Sequence, residues 1–167
     1  NSGGSAFNAR GSLVGVPFQG ADNSQGFIIP VEVLQHFLAD CAAKRQPAFP
    51  DLGLTWQTME NRRLRQRYKI PKKTSGVLIN KVPPLSSAQS LIVPGDVILS
   101  VSGYKVSNEG RVKIKGSWVD FEYLLSTRFL GDSVNFSLLR NGAVQHVQVP
   151  LLHTAEALDA VKWRYET

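Results

Sequence analysis

The sequence has 167 residues, enough for one full domain or for one domain and part of another, and its formal net charge is +6. Hydrophobic residues make up 43% and charged residues 19% of it, which is typical of a soluble globular protein. No apolar run approaches the roughly 18 residues of a membrane-spanning helix. The single cysteine, Cys41, excludes an internal disulfide framework and gives no metal cluster, so we predict no metal and no other cofactor.

The first segment, residues 1–45, begins with a glycine-rich turn and predicts two strands and a helix. Alternating apolar residues indicate a strand over 12–18, and the short apolar run 27–29 indicates a buried strand. Pro30 suits the first turn of a helix, and apolar residues follow at helical spacing as far as Cys41.

A proline-containing linker opens the second segment, residues 46–152. Apolar alternation, prolines and glycines divide its first half into short elements. These are strands over 52–57, 76–82 and 97–101, a basic helix over 60–68 and one helical turn over 86–91.

Seven basic side chains lie between Arg62 and Lys73. A run of this kind can contact nucleic acid or an anionic membrane. It also fits a solvated helix face beside a basic loop, and no aromatic residues alternate with the charges as single-strand binding would favour. We favour the solvated face and keep a nucleic-acid partner as the less favoured alternative.

The second half of this segment predicts a loop, a helix and a hairpin. Residues 108–116 indicate a loop with little core. Ser117-Trp118-Val119-Asp120 has the spacing of a capping box and predicts a helix after it, with an apolar stripe from Phe121 to Phe129. Asn141-Gly142 between alternating strands is a strong type I′ hairpin signal. A last helix is expected over 154–165.

The opening tetrapeptide, Asn1-Ser2-Gly3-Gly4, resembles the Gly-Asn-Ser-Gly-Gly nucleophile loop of Deg/HtrA serine proteases. Alone it is a weak signal, because these residues are common in turns. Two later motifs strengthen the resemblance. Residues 11–16, Gly-Ser-Leu-Val-Gly-Val, resemble the strand that follows the nucleophile and walls the substrate pocket, and residues 26–30, Gly-Phe-Ile-Ile-Pro, resemble the Gly-Phe-Ala-Ile-Pro motif of the family.

A PDZ-like segment follows the predicted first helix. Leu52-Gly53-Leu54 resembles the hydrophobic-Gly-hydrophobic carboxylate loop of PDZ modules. Residues 93–98, Val-Pro-Gly-Asp-Val-Ile, match the hydrophobic-x-Gly-Asp-x-Ile turn of the family, and residues 138–142, Leu-Leu-Arg-Asn-Gly, match its terminal hairpin. The resemblance covers roughly residues 1–150 and looks most like the plant and algal branch of Deg proteases.

The resemblance implies a fold class that is mainly β with α and three parts to the chain. Residues 1–45 would be the C-terminal piece of a trypsin-like β-barrel, and the chain would start at the nucleophile loop of a longer protein. Residues 46–152 would be a PDZ-like, partly open β-barrel with two or three helices. Residues 153–167 would be a C-terminal helical extension.

By the same resemblance, Ser2 is expected to be the nucleophile that forms an acyl-enzyme, with Gly3, Gly4 and Val16 at the oxyanion site and pocket. In trypsin-like folds the base histidine and the aspartate precede the serine. Both are therefore expected upstream of Asn1, and the chain alone is expected to be inactive. We expect the three histidines of the chain to have surface or packing roles: His36, His146 and His153.

The PDZ-like segment is expected to bind an extended peptide by adding it as a strand to an open sheet edge. The peptide carboxylate would dock on backbone N–H groups near Leu52 and Gly53, where glycine permits close approach. Asp51 would repel such a carboxylate, so an internal peptide segment or a neighbouring part of the same assembly are alternative occupants.

Peptide side chains are expected to enter a groove between the strand Leu54–Trp56 and the helix that begins at Phe121. Ordinary core is the alternative role for the apolar residues of this helix. We expect one or two of three residues to touch the ligand: Phe121, Leu124 and Leu125.

The resemblance implies an ATP-independent serine endopeptidase of protein quality control. Its partners would be unfolded or damaged proteins and peptide segments. The protein would form a trimer-based homo-oligomer and would be located in a chloroplast or mitochondrion. The alternative is a non-catalytic PDZ scaffold or assembly subunit derived from a Deg protease.

Overall fold

Short strands and turns make up most of the computed structural model, which describes residues 3–21 and 25–152, without the side chains of 19–21 and 25. The described residues divide into two compact units, of which unit 1 ends at Ala48 and unit 2 begins at Phe49. Each unit has its own sheet. The helix predicted over 154–165 and the proposed extension 153–167 lie outside the described residues.

Unit 1 is a three-stranded antiparallel sheet followed by a helix; the second and third strands and the helix are predicted from the sequence, and the short first strand is not. The sheet order is the chain order, and the helix follows the last strand directly. Pro30, extended at φ −62° and ψ 151°, is the last residue of that strand and the N-cap of the helix, one position before the first turn in which the sequence places it. The elements are β1 (Ala6–Phe7), β2 (Leu13–Ala21), β3 (Gln25–Pro30) and α1 (Val31–Ala42).

The prediction that 27–29 form a buried strand is wrong in its burial. The strand forms, but Phe27 is 46% and Ile28 45% exposed. An apolar run is buried only where a second layer covers it, and the small sheet of unit 1 leaves these two side chains open to solvent.

Unit 2 is built on a six-stranded antiparallel sheet with an additional two-stranded hairpin and two short helices. The elements in chain order are β4 (Thr55–Gln57), α2 (Arg62–Arg67), β5 (Val77–Lys81), β6 (Val97–Val101), β7 (Tyr104–Lys105), β8 (Arg111–Ile114), β9 (Ser117–Asp120), α3 (Tyr123–Ser126), β10 (Ser133–Arg140) and β11 (Ala143–Pro150). The large sheet runs β11-β10-β6-β5-β4, with β7 paired to β6, and β8 pairs with β9.

The core of unit 2 follows from period-two alternation in its strands. On β10, Val134, Phe136 and Leu138 are each no more than 1% exposed, while the residues between them face outward or are partly covered. The hairpin that joins β10 to β11 turns at Asn141 and Gly142, both at positive φ, which confirms the predicted type I′ signal.

Residues 108–120 fold differently from the prediction. The expected loop over 108–116 contains the strand β8, whose Val112 is fully buried, and the expected capping box over 117–120 is the strand β9. Lys115 and Gly116 both adopt positive φ, the requirement of a two-residue hairpin turn, so the backbone doubles back where a helix was expected to start.

Three other predicted elements are shorter or altered. The stripe from Phe121 to Phe129 contains only α3, and beyond the helix the Asp132 carboxylate accepts the Phe129 N–H at 3.0 Å. The strand predicted over 52–57 begins at Thr55, and residues 86–91 form hydrogen-bonded turns. The basic helix predicted over 60–68 is confirmed as α2, capped by the Asn61 side chain.

No helix in the part of the chain that the structure describes is long and apolar enough to cross a membrane.

Candidate functional site

The expected nucleophile, Ser2, lies outside the described residues, as does Asn1. The adjacent Gly3 adopts φ 84°, a conformation that favours glycine, and donates its N–H to the Pro17 carbonyl at 2.8 Å. The half-buried Gly4 follows it. The turn next to Ser2 is therefore tied to β2.

Val16 lies on β2, half-buried and paired with Ile29 of β3. A Cβ at the preceding Gly15 would lie 2.3 Å from the Ile29 carbonyl oxygen. The two strands can approach this closely only because residue 15 is glycine. Glycine at residue 15 thus determines where Val16 lies within unit 1.

A buried charge network lies on α1, which sequence reasoning missed. His36 and Asp40 are 4% and 5% exposed, and the His36 Nε2 lies 3.2 Å from the Asp40 Oδ2. Arg45 donates to the Asp40 Oδ1 from Nε at 3.0 Å and from Nη2 at 2.9 Å. The i,i+4 spacing of His36 and Asp40 was the available signal. His36 is a packing residue, as expected.

Several interactions set the pKa of the Asp40 carboxyl. Burial alone would raise this pKa, but the hydrogen bond from Arg45, the backbone N–H of Ala48 and the nearby charges of Arg45 and His36 together lower it. Asp40 is therefore a structural carboxylate that fixes the end of α1.

In unit 2, hydrogen bonds to side chains anchor the expected carboxylate loop. Leu52 is 1% exposed, and its carbonyl accepts the Ser86 hydroxyl at 2.9 Å. Gly53 adopts φ 60°, and its N–H donates to the Asp51 Oδ1 at 2.8 Å. One of the backbone donors that the resemblance assigns to a peptide carboxylate is thus engaged by a side chain of the loop itself.

Trp56 fills the space between β4 and the residues before α3. Its ring lies 5.5 Å from the Phe121 ring, and its Nε1 donates to the Glu122 Oε1 at 2.8 Å. A Cβ at Gly110 would lie 2.3 Å from the edge of the indole, so the backbone there approaches the ring closely. Leu54 is half-buried and packs against the core beside Trp56.

The three helix-side residues expected at the groove are all buried. Phe121 is 1%, Leu124 8% and Leu125 3% exposed. They belong to the core of unit 2, and Trp56 covers Phe121. The structure thus brings the β4 and α3 residues together as a packed contact, with little of the helix open to a ligand.

The outer edge of β4 is open. Among the described strands, β4 is last in the sheet and pairs only with β5, through Thr55, Trp56 and Gln57. An unpaired edge next to the loop at Gly53 can accept an added strand.

Two carboxylates act on Glu122 at this end of the sheet. Partial desolvation raises the pKa of the exposed Glu122 side chain, and the charges of Asp51 and Asp120 raise it further, while the hydrogen bond from Trp56 acts in the opposite direction. Asp51 and Asp120 are therefore each within electrostatic range of Glu122.

One arginine of the basic run between Arg62 and Lys73 has a structural role that the sequence did not predict. Arg65 is half-buried, and its guanidinium donates to the Asn108 Oδ1 at 2.7 Å and to the carbonyls of Met59, Pro71 and Thr74. The other arginines of α2 are exposed, which fits the favoured solvated face.

No group of three or more His, Cys, Asp or Glu side chains that could hold a metal ion occurs in residues 3–21 and 25–152.

No protein-family model matches the chain. Among curated proteins it is similar to Protease Do-like 2, chloroplastic, of Arabidopsis thaliana, with 38% identity over 157 residues that cover 90% of this chain and 26% of the relative. It is also similar to Putative protease Do-like 11, mitochondrial, of the same plant, with 31% identity over 153 residues, 90% of this chain and 26% of the relative. The chain thus spans about a quarter of the length of these relatives.

Among solved structures, the chain is similar to HtrA-type protease AlgW with tripeptide, with a TM-score of 0.58, 21% identity and coverage of 91% of this chain and 49% of that chain. Its similarity to HtrA-type protease AlgW with decapeptide has a TM-score of 0.55 at 20% identity, over 90% of this chain and 45% of that chain. These similarities confirm the predicted fold class, mainly β with short helices.

Proposed function

Since the homologues of this chain are Deg/HtrA-like proteases, we propose that it is part of an ATP-independent serine endopeptidase of protein quality control. The observation that carries the proposal is the similarity to a Do-like protease at 38% identity, which extends over 90% of the chain and so includes both units. Unfolded or damaged proteins would be the substrates.

The proposed nucleophile is Ser2. Its Oγ would attack a peptide carbonyl and form an acyl-enzyme, with Gly3 and Gly4 in the turn beside the oxyanion site and Val16 at the pocket. The fixed turn at Gly3 supports this role, because a nucleophile must be presented in one position. The base histidine and its aspartate would lie outside residues 1–167. His36 is unsuited, since it is buried on α1 beside Asp40.

Unit 2 is proposed to be a PDZ domain that binds peptide at β4 or mediates assembly. The open edge of β4 supports strand addition, and the glycine turn at Gly53 supports a loop at its end. The proposed domain limits are 1–45, 46–152 and 153–167. The change of unit after Ala48 lies close to the first of these limits.

We propose that the protein forms a trimer-based homo-oligomer in a chloroplast or mitochondrion. The homologues are named as chloroplastic or mitochondrial Do-like proteases, which supports the location.

The test is Ser2→Ala in the full-length protein, with a denatured protein as substrate. The expected result is a loss of cleavage of at least about a thousandfold, because the acylation step has no other nucleophile. Ser5→Ala is the matched control, since it removes a hydroxyl three residues away and should leave cleavage unchanged. Equal cleavage by wild type and Ser2→Ala would remove Ser2 from the mechanism. A wild-type protein that binds peptides but cleaves nothing would support the non-catalytic PDZ scaffold.

A further inference from the structure

The carboxylate of Asp51 occupies one of the backbone amides that are expected to receive the end of a peptide. Its Oδ1 accepts the Gly53 N–H at 2.8 Å, two residues along the same loop. The backbone between the two residues is anchored, because Leu52 is buried and its carbonyl accepts the Ser86 hydroxyl at 2.9 Å. The hydrogen bond from the Gly53 N–H to Asp51 is therefore part of the folded conformation of the loop.

A free peptide terminus would compete poorly for this position. An α-carboxylate and the Asp51 carboxylate require the same donor, and the two negative charges repel each other. Asp51 is also close enough to Glu122 to interact with it electrostatically, so a second carboxylate adds to the repulsion. A peptide that continues past the loop brings no terminal charge and needs no donor from Gly53.

The open edge of β4 is compatible with such a continuing chain. The edge offers main-chain groups from Thr55 to Gln57, and strand addition draws its affinity from main-chain hydrogen bonds that do not depend on a terminus. We propose that Asp51 is a specificity-determining residue of unit 2, which holds the Gly53 amide occupied so that the β4 edge takes internal peptide segments in preference to free C-termini. This inference rests on the proposed peptide-binding function.

The test compares one peptide pool in two forms with the full chain. The probe is a set of fluorescein-labelled decapeptides, randomised among Val, Leu, Ile and Phe at the last four positions, made with a free carboxylate or with a C-terminal amide. Fluorescence anisotropy gives the ratio of the two Kd values. For wild type, the amide pool should bind at least as tightly as the acid pool, because it imitates an internal segment.

Two Asp51 variants separate the effect of occupying the Gly53 amide from the effect of the negative charge of Asp51. Asp51→Ala frees the Gly53 amide and should shift the Kd ratio toward the acid pool by about tenfold, the effect of one hydrogen bond to a charged group. Asp51→Asn retains an oxygen that can accept the amide proton but removes the charge, so its ratio should fall between those of wild type and Asp51→Ala. Glu122→Gln removes a charge near Asp51 without touching the loop amide and should shift the ratio less than Asp51→Ala does.

The outcomes distinguish this inference from the proposed function. A wild-type chain that binds the acid pool several-fold tighter than the amide pool would overturn the role of Asp51 and leave peptide binding intact. A ratio unchanged by both Asp51 variants would do the same. Absence of binding by either pool to wild type and to every variant would overturn the peptide-binding function itself, and the inference with it.

Discussion

Arg140 at the end of β10 forms a two-bond ion pair with Asp96 in the turn before β6. Its Nε donates to Oδ1 at 2.7 Å and its Nη2 to Oδ2 at 2.6 Å, and Asp96 is fully buried. Asp96 also accepts the Val93 N–H at 2.9 Å, and Arg140 donates to the Leu91 carbonyl. The two sequence motifs at 93–98 and 138–142, far apart in the chain, therefore meet in one charged contact.

Breaking this pair should strongly destabilise the protein. Arg140→Met leaves the buried Asp96 carboxylate without its counter-ion, and we expect a loss of about 3–5 kcal/mol in the free energy of unfolding. Arg111→Ala is the matched control, because its contact with Asp120 is 4.0 Å long and exposed, so the loss should stay under about 1 kcal/mol. Urea titration followed by circular dichroism measures both. Similar losses for the two variants would contradict the structural role of the buried pair.

Replacement of Glu122 should change how stability depends on pH. Because partial desolvation and neighbouring carboxylates raise its folded-state pKa, the folded protein binds a proton more tightly than the unfolded chain does, and the contribution of Glu122 to stability falls as pH rises through that pKa. Glu122→Gln keeps an oxygen to accept the Trp56 N–H and carries no charge. It should be at least as stable as wild type at pH 7, with the difference shrinking in acid. Urea unfolding at pH 7 and below pH 4.5 tests this. Lower stability of Glu122→Gln at neutral pH would refute it.

Asp40 should show the opposite pH dependence. Its folded-state pKa is lowered despite burial, so its stabilising contribution is present above its ordinary pKa of 3.8 and is lost as pH falls through the folded value. Asp40→Asn should speed amide exchange at the C-terminal end of α1 at pH 7. Hydrogen exchange with peptide-level mass spectrometry measures the effect, and Glu32→Gln at the other end of α1 serves as the control. Equal exchange in Asp40→Asn and wild type would show that the network does not fix the helix.

Gly110→Ala should disturb the Trp56 site. The added Cβ would lie 2.3 Å from the indole ring, and φ at this position is 85°, so both a clash and backbone strain are expected, at a cost of about 2–4 kcal/mol. Gly116→Ala is the matched control: its φ is 91° but nothing lies within 4 Å of its Cβ, so only the strain remains. Unfolding free energies and tryptophan emission compare the two. An equal cost at both glycines would mean that Trp56 does not sit against Gly110.

The elements that the sequence predicted best are those whose conformation depends on residues adjacent in the chain. Asn141-Gly142 specifies its own turn, and the alternation on both sides places the strands β10 and β11. The hairpin at 111–120 was missed because Ser117 and Asp120 have the spacing of a helix cap, whereas the burial of Val112 against distant strands decides the structure. A long-range contact of this kind leaves no local signal.

For the candidate site, the sequence indicated residue types more readily than their partners. Asp51 was recognised as a charge beside the loop, but its bond to Gly53 depends on the loop conformation. Arg65 looked like one more cation of a solvated face, yet it is half-buried and donates to the Asn108 side chain, 43 residues away along the chain. Burial and pairing at such positions arise from tertiary packing, which a run of like charges does not reveal.

The most direct test of the account is covalent labelling of the full-length protein with a fluorophosphonate, which reacts only with a serine whose hydroxyl has been activated as a nucleophile. Mass spectrometry of the labelled peptides locates the modified residue. The account predicts one labelled serine, Ser2, with no label at Ser5 and none in Ser2→Ala. A protein that cleaves denatured substrate while its label maps to another serine, or that cleaves without labelling at Ser2, would contradict it.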